Sequence, residues 1–146
     1  MQTRSAFDLA RAGFQRRAVW EQARRFFDRF DLLLTPTMPM PAFPLGTNSP
    51  VDANGQSGRI LAWTPFTYPW NLTGHPAISV PCGLTSSGLP VGLQIIGRRW
   101  GDATVLRAAA GYERIAPWHG RRPTLSRPTE SLDPTATHPH PFEVKG

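Results

Sequence analysis

The sequence predicts an α/β fold in which helices flank a β-sheet that is itself incomplete. Three observations carry this. Residues 4–30 hold no proline and place apolar side chains at helical spacing. Three short apolar runs, FDLLLTP, AISVP and VGLQIIG, read as strands, and a second helical pattern follows the last of them. Sixteen prolines and thirteen glycines exclude an all-helical chain.

In the first helix Phe7, Ala10, Phe14 and Ala18 form one stripe, and Val19, Ala23, Phe26 and Phe30 form another. At about 100° per residue the second stripe is rotated by roughly a third of a turn. The helix is therefore expected to change packing partner near Trp20 or to break there. Arg24, Arg25 and Arg29 lie away from the second stripe, as a solvent side requires.

Leu32 to Leu34, ended by Thr35 and Pro36, read as a short strand buried on both faces, the kind found in parallel sheets. Residues 36–60 form a long Pro/Gly/Asn loop. Pro65 and Pro69 limit residues 61–74 to short helical pieces. The AISVP strand is followed by turn chemistry at Ser86-Ser87-Gly88 and by the VGLQIIG strand. Asp102 is the expected N-cap of a helix from Ala103 to about Arg114, with Val105, Leu106, Ala109 and Tyr112 as its buried stripe. Periodicity ends at Pro117, and residues 124–146 read as a disordered, Pro-rich tail. Two helices and a loop give little cover to such strands. The pattern is that of part of a sheet.

Composition narrows the function classes. A single cysteine cannot form an intrachain disulfide. No apolar run approaches the roughly 20 residues of a membrane helix, and the Arg-rich N-terminus lacks a secretory core. Asp8 and Glu21 also weaken its likeness to a transit peptide. A cytoplasmic protein is the expectation. The net charge of +6 and pI of 11.0 raise nucleic-acid binding, and seven arginines fall within the first thirty residues. No aromatic or Gly-rich spacing of a nucleic-acid module accompanies them, which favours a solvated helix face.

Three blocks of the chain go further. FDLLLTPTMPMPA, NLTGHPAISVPCG and GLPVGLQIIGRRWGDATVLRAAAGYE together resemble, in order and spacing, the C-terminal third of amidase signature family enzymes, and APWHGRRP resembles the end of that domain. The likeness covers roughly residues 15–123, so residues 1–123 are read as the C-terminal segment of an amidase domain, itself incomplete. The resemblance implies a partial mixed β-sheet with flanking helices, the C-terminal part of the amidase signature fold. It implies hydrolysis of a carboxamide to a carboxylate and ammonia or amine, with no cofactor and no metal.

The family's chemistry uses a nucleophilic serine, a second serine in a cis peptide and a lysine base that must be desolvated to lose its charge. Those serines lie in a Gly/Ser-rich segment upstream of the blocks above. This sequence has no such segment, and its one lysine is Lys145 in the tail. No catalytic residue is assigned, and the chain is expected to be inactive alone. Its expected partners are an N-terminal amidase half or a second copy of itself, with a small amide as substrate of the whole enzyme.

Other polar residues invite a catalytic reading and are better explained structurally. Asn71, His75 and Cys82 sit close in sequence but match no cysteine-hydrolase pattern, and Cys82 is expected to be a small buried hydrophobe at a strand end. Asn71 is expected to bond backbone in a turn, with Gly74 at positive φ and Pro76 opening the next strand. Ser86 and Ser87 align with a variable turn. His119, His138 and His140 lack a carboxylate or thiol partner at metal-ligand spacing. In the tRNA-dependent amidotransferase branch, an acidic residue that reads the substrate ammonium resembles the position of Thr64. No acid lies between Ile60 and Asn71, which favours a general amidase with an uncharged pocket. By the same resemblance Trp63, Thr64 and Thr67 are the candidate pocket wall; the non-catalytic alternative is a binding or regulatory module.

Overall fold

The structure is a computed structural model and describes residues 5–44 and 63–122. The long loop is therefore described only at its two ends. The tail expected to be disordered, with His138, His140 and Lys145, lies outside the described residues.

Helix α1 spans Ala6–Phe27 and does not break at Trp20. Ser5 and Asp8 close its first turn reciprocally: Asp8 N–H donates to Ser5 Oγ at 3.1 Å and Ser5 N–H donates to Asp8 Oδ2 at 3.0 Å. The hydrogen bonds from Ser5 hold the Asp8 carboxyl below its ordinary range. The two apolar stripes do not share one burial. Phe7 and Phe14 are each 75% exposed, whereas Ala23 and Phe27 are buried in the core. Thus α1 packs through its C-terminal half, on a line that includes Phe27, a residue outside both expected stripes. Arg24 is paired with Glu21 and Asp28 at 2.9 Å on the solvent side.

Strand β1 (Leu32–Pro36), helix α2 (Tyr68–Thr73), strands β2 (Ala77–Leu84) and β3 (Pro90–Gly97), and helix α3 (Asp102–Ile115) follow. The strand order is β1-β3-β2, and both pairings are antiparallel. This corrects the parallel-type reading of the leucine run. β1 is an edge strand, and Leu34 is 56% exposed. The β2–β3 connection is a tight hairpin in which Gly88 takes φ 82°, Gly88 N–H donates to Thr85 O, and Leu89 N–H donates to Thr85 Oγ1. Ser86 and Ser87 sit in that turn.

Residues two apart on a strand share a face, so the register sorts the sheet into two sides. Ile78, Val80, Leu93 and Ile95 share the side that α3 covers. There Gly97 permits close approach of the helix, since a Cβ at that position would lie 2.6 Å from Val105 Cγ2. Val105 and Ala109 are buried as expected, but Leu106 is 59% exposed at the rim of an apolar groove between α3 and β2. Asp102 is the first residue of α3 and not its cap, which is Gly101; the carboxylate still complements the helix N-terminus from the first turn. The opposite side of the sheet carries Leu33, Ile96 and Ala77 in one row and Thr35, Gln94 and Ser79 in the next. α2 lies over this side, and the C-terminal half of α1 packs against α2.

Candidate functional site

The polar row is where the candidate pocket wall meets the sheet. Gln94 is 4% exposed on the central strand, so its amide requires partners inside the fold. Its Nε2 donates to Thr35 Oγ1 at 2.9 Å and to Phe66 O at 2.8 Å. The second bond ties the segment leading into α2, which carries Trp63, Thr64 and Thr67, to the middle of the sheet. One step along, Thr37 Oγ1 and Ser79 Oγ are 2.7 Å apart, joining β2 to the chain just beyond β1. Both hydroxyls crowd over Gly92, where a Cβ would lie 2.7 Å from each.

Within the leading segment, Tyr68 N–H donates to Thr64 O at 3.1 Å and Trp70 N–H to Thr67 O at 3.3 Å, so Thr64 and Thr67 open α2 through their carbonyls. Thr67 is the N-cap residue, but its side chain makes no capping bond. The Trp63 ring meets Phe43 edge-on, with centroids 5.3 Å apart. The indole Nε1 of Trp63 is buried without a hydrogen-bond partner among the described residues. The three predicted wall residues are thus neighbours on one segment. Sequence patterns alone do not single out Thr35, Gln94 and Ser79 as one row, with Thr37 one step along. The signal that could have found them is a polar residue interrupting each apolar strand, Gln94 in VGLQIIG above all.

His75 belongs to a separate and structural cluster. It is buried, its ring stacked on Phe27 at 5.1 Å and edge-on to Trp70 at 5.8 Å. Thr73 Oγ1 donates its proton to Pro69 O at 2.9 Å. The 2.8 Å contact between Thr73 Oγ1 and His75 Nδ1 then has the imidazole Nδ1–H as donor. Burial, and secondarily the charge of Arg99, lowers the His75 pKa below its ordinary 6.5. Gly74 ends α2 at φ 70° as expected, and Asn71 lies inside α2 and not in a turn.

Cys82 corrects another expectation: it is exposed, not buried. The register shifts between Pro81 and Gly83, leaving Cys82 as the extra residue of a bulge, with Sγ directed at Val91 O at 3.6 Å. At about 3.3 Å per residue, the strand from Ala77 to Cys82 alone separates the thiol from His75 by roughly 16 Å. They cannot act as nucleophile and base. His119 lines the α3 groove, and among the described residues no three of His, Cys, Asp and Glu gather as metal ligands.

Comparison with known proteins agrees with this geometry. The Amidase family profile matches residues 1–106. The chain is 42% identical over 121 residues to an acylamidase of Rhodococcus erythropolis, covering 82% of this chain and 25% of that protein. It is 48% identical over 101 residues to the A subunit of the glutamyl-tRNA(Gln) amidotransferase of Chloroflexus aggregans, covering 69% and 20%. Among solved structures it superposes on a bacterial aryl acylamidase of the amidase signature family with a TM-score of 0.67 at 39% identity, covering 78% of this chain and 24% of that one. On a 6-aminohexanoate cyclic dimer hydrolase complexed with substrate the TM-score is 0.71 at 30% identity, covering 82% and 27%. The chain spans about a quarter or less of the length of the curated relatives it matches. With the profile matched over residues 1–106 and the fold shared with solved amidase signature structures, the chain belongs to the amidase signature family.

Proposed function

We propose that this chain supplies the C-terminal scaffold and one pocket wall of an amidase that hydrolyses a carboxamide to a carboxylate and ammonia or amine. The nucleophilic serine, the bridging serine and the lysine base come from a segment other than these 146 residues. The single observation that carries this reading is the Gln94 bridge, which holds residues 63–67 against the sheet with two buried hydrogen bonds. A wall built this way presents indole and hydroxyl groups with no charged side chain between Ile60 and Asn71. It suits an uncharged acyl or aryl amide. The exposed Leu34, Phe7 and Phe14 are apolar surface on which the remainder of such a domain would pack.

Several relatives are tRNA-dependent amidotransferase subunits, but Thr64 stands where that branch's ammonium-reading acid is placed by resemblance, so that role is disfavoured. A chimera tests the proposal: residues 1–123 of this chain replace the matching segment of the Rhodococcus acylamidase. Retained hydrolysis of neutral amides is expected, with selectivity that shifts when Trp63→Ala or Thr64→Ala is introduced. A folded chimera that hydrolyses no amide, or whose selectivity ignores both changes, would overturn the assignment of the wall.

A further inference from the structure

We infer that a groove formed by α1, the α2–β2 turn and the β3–α3 turn is a binding site for a phosphate-class oxyanion. The groove encloses about 320 Å³ and is lined by Arg16, Arg17, Trp20, Gly74 and Arg99 among others, with no carboxylate in the lining. Its three guanidiniums come from two elements far apart in sequence, so the fold, and not a run of arginines, brings them together.

The groove differs from the rest of α1 in how its charges are treated. Further along the helix, Arg24 is neutralised by Glu21 and Asp28, and Arg25 also faces Glu21 at 3.5 Å. Arg16 instead uses Nε to bond Leu72 O at 2.8 Å, which anchors the arm and leaves its terminal nitrogens for another acceptor. Arg17 has no acid or carbonyl partner among the described residues. The Arg99 guanidinium lies 5.0 Å from the Trp100 ring centroid, a contact that orients the group without cancelling its charge. Trp100 takes φ 65°, a conformation rare for a bulky residue, in the turn that presents Arg99. Gly74 lies alongside: a Cβ there would be 3.8 Å from Arg99 Nε.

Three exposed like charges line one small concavity, and an anion that joins them relieves their mutual repulsion. Guanidinium forks match phosphate oxygens in pairs, so two or three of them favour a multiply charged oxyanion over a single carboxylate. The site is short and concave, and Arg24 and Arg25 further along α1 are already paired, which favours a small phosphorylated ligand over an extended nucleic-acid backbone. It shares no residue with the candidate pocket wall.

The test is a calorimetric titration of the full chain with inorganic pyrophosphate at low salt, repeated for Arg17→Gln, Arg99→Gln and the control Arg107→Gln on α3. Saturable binding at one site is expected. Each groove variant should weaken it by about tenfold, and the control should leave it unchanged. If either glutamine variant unfolds early, Arg17→Lys and Arg99→Lys keep the charge but lose the fork, and an intermediate loss is expected. Absence of saturable binding, or equal loss in all three glutamine variants, would overturn the site. So would tight binding of a single-stranded RNA by a chain that ignores pyrophosphate.

Discussion

The two sides of the sheet are built from the same three strands and hold their helices by different forces. On the α3 side, Ile78 and Ile95 share the face covered by the helix that buries Val105 and Ala109, and Gly97 lets that helix come close. On the α2 side, apolar Ile96 alternates with Gln94, whose amide reaches both β1 and the segment before α2. Apolar packing is tolerant of small slips, whereas paired hydrogen bonds fix position. The side bearing the proposed pocket wall is therefore the one fastened by directional contacts, and the α3 side is its support.

Substitutions on each side should separate these roles. The largest stability effect is expected at Ile96, 0% exposed, where alanine should cost about 3 kcal/mol. Ile95→Ala on the α3 side should cost a similar amount, and chemical denaturation measures both. Gln94→Ala should cost less, about 2 kcal/mol, because it strands Phe66 O and removes a bond to Thr35. Its distinctive result is positional: Trp63 fluorescence and protease access near residues 63–67 should change in Gln94→Ala and stay as in the parent in Ile95→Ala. Equal loosening in both would mean that the amide bridge does not position the wall. Gly92→Ala should cost about 1 kcal/mol by parting Thr37 from Ser79.

The smallest effect concerns pH. His75 is held neutral, its pKa below 6.5, so the unfolded chain binds the proton more readily than the folded one. Stability tied to this residue is fully present above 6.5 and is lost as pH falls through the lower folded value. Thermal melts across that window should show the loss, and His75→Leu should flatten it.

Much of this arrangement is legible in the sequence, and the misreadings have physical causes. Both main helices, the three strands and the Ser86–Gly88 hairpin follow from periodicity and turn chemistry, which are local. Leu32–Leu34 looks like a doubly buried parallel strand because three leucines carry no mark of an edge; pairing with β3 is a non-local fact. Leu106 fits a helical stripe but falls on its rim, and the Cys82 bulge depends on register across the hairpin. The pocket wall at Trp63, Thr64 and Thr67 rests on family resemblance and not on pattern. Gln94 is visible as a polar break in an apolar strand, yet only the fold shows what its amide holds.

On the proposed function, these residues provide scaffold and wall but not the chemistry. The most direct measurement is ammonia release from simple aliphatic and aromatic amides by the purified 146-residue chain. A carboxamide is a poor electrophile, and hydrolysis requires an activated nucleophile with donors placed for the oxyanion. Ser86 and Ser87 lie in a turn, and Cys82 lies on an edge bulge far from His75. No turnover above the uncatalysed rate is expected, and Ser86→Ala, Ser87→Ala and Cys82→Ala in the active chimera should leave most of its rate intact. Ammonia release by the chain alone, abolished by any one of those three changes, would contradict the account.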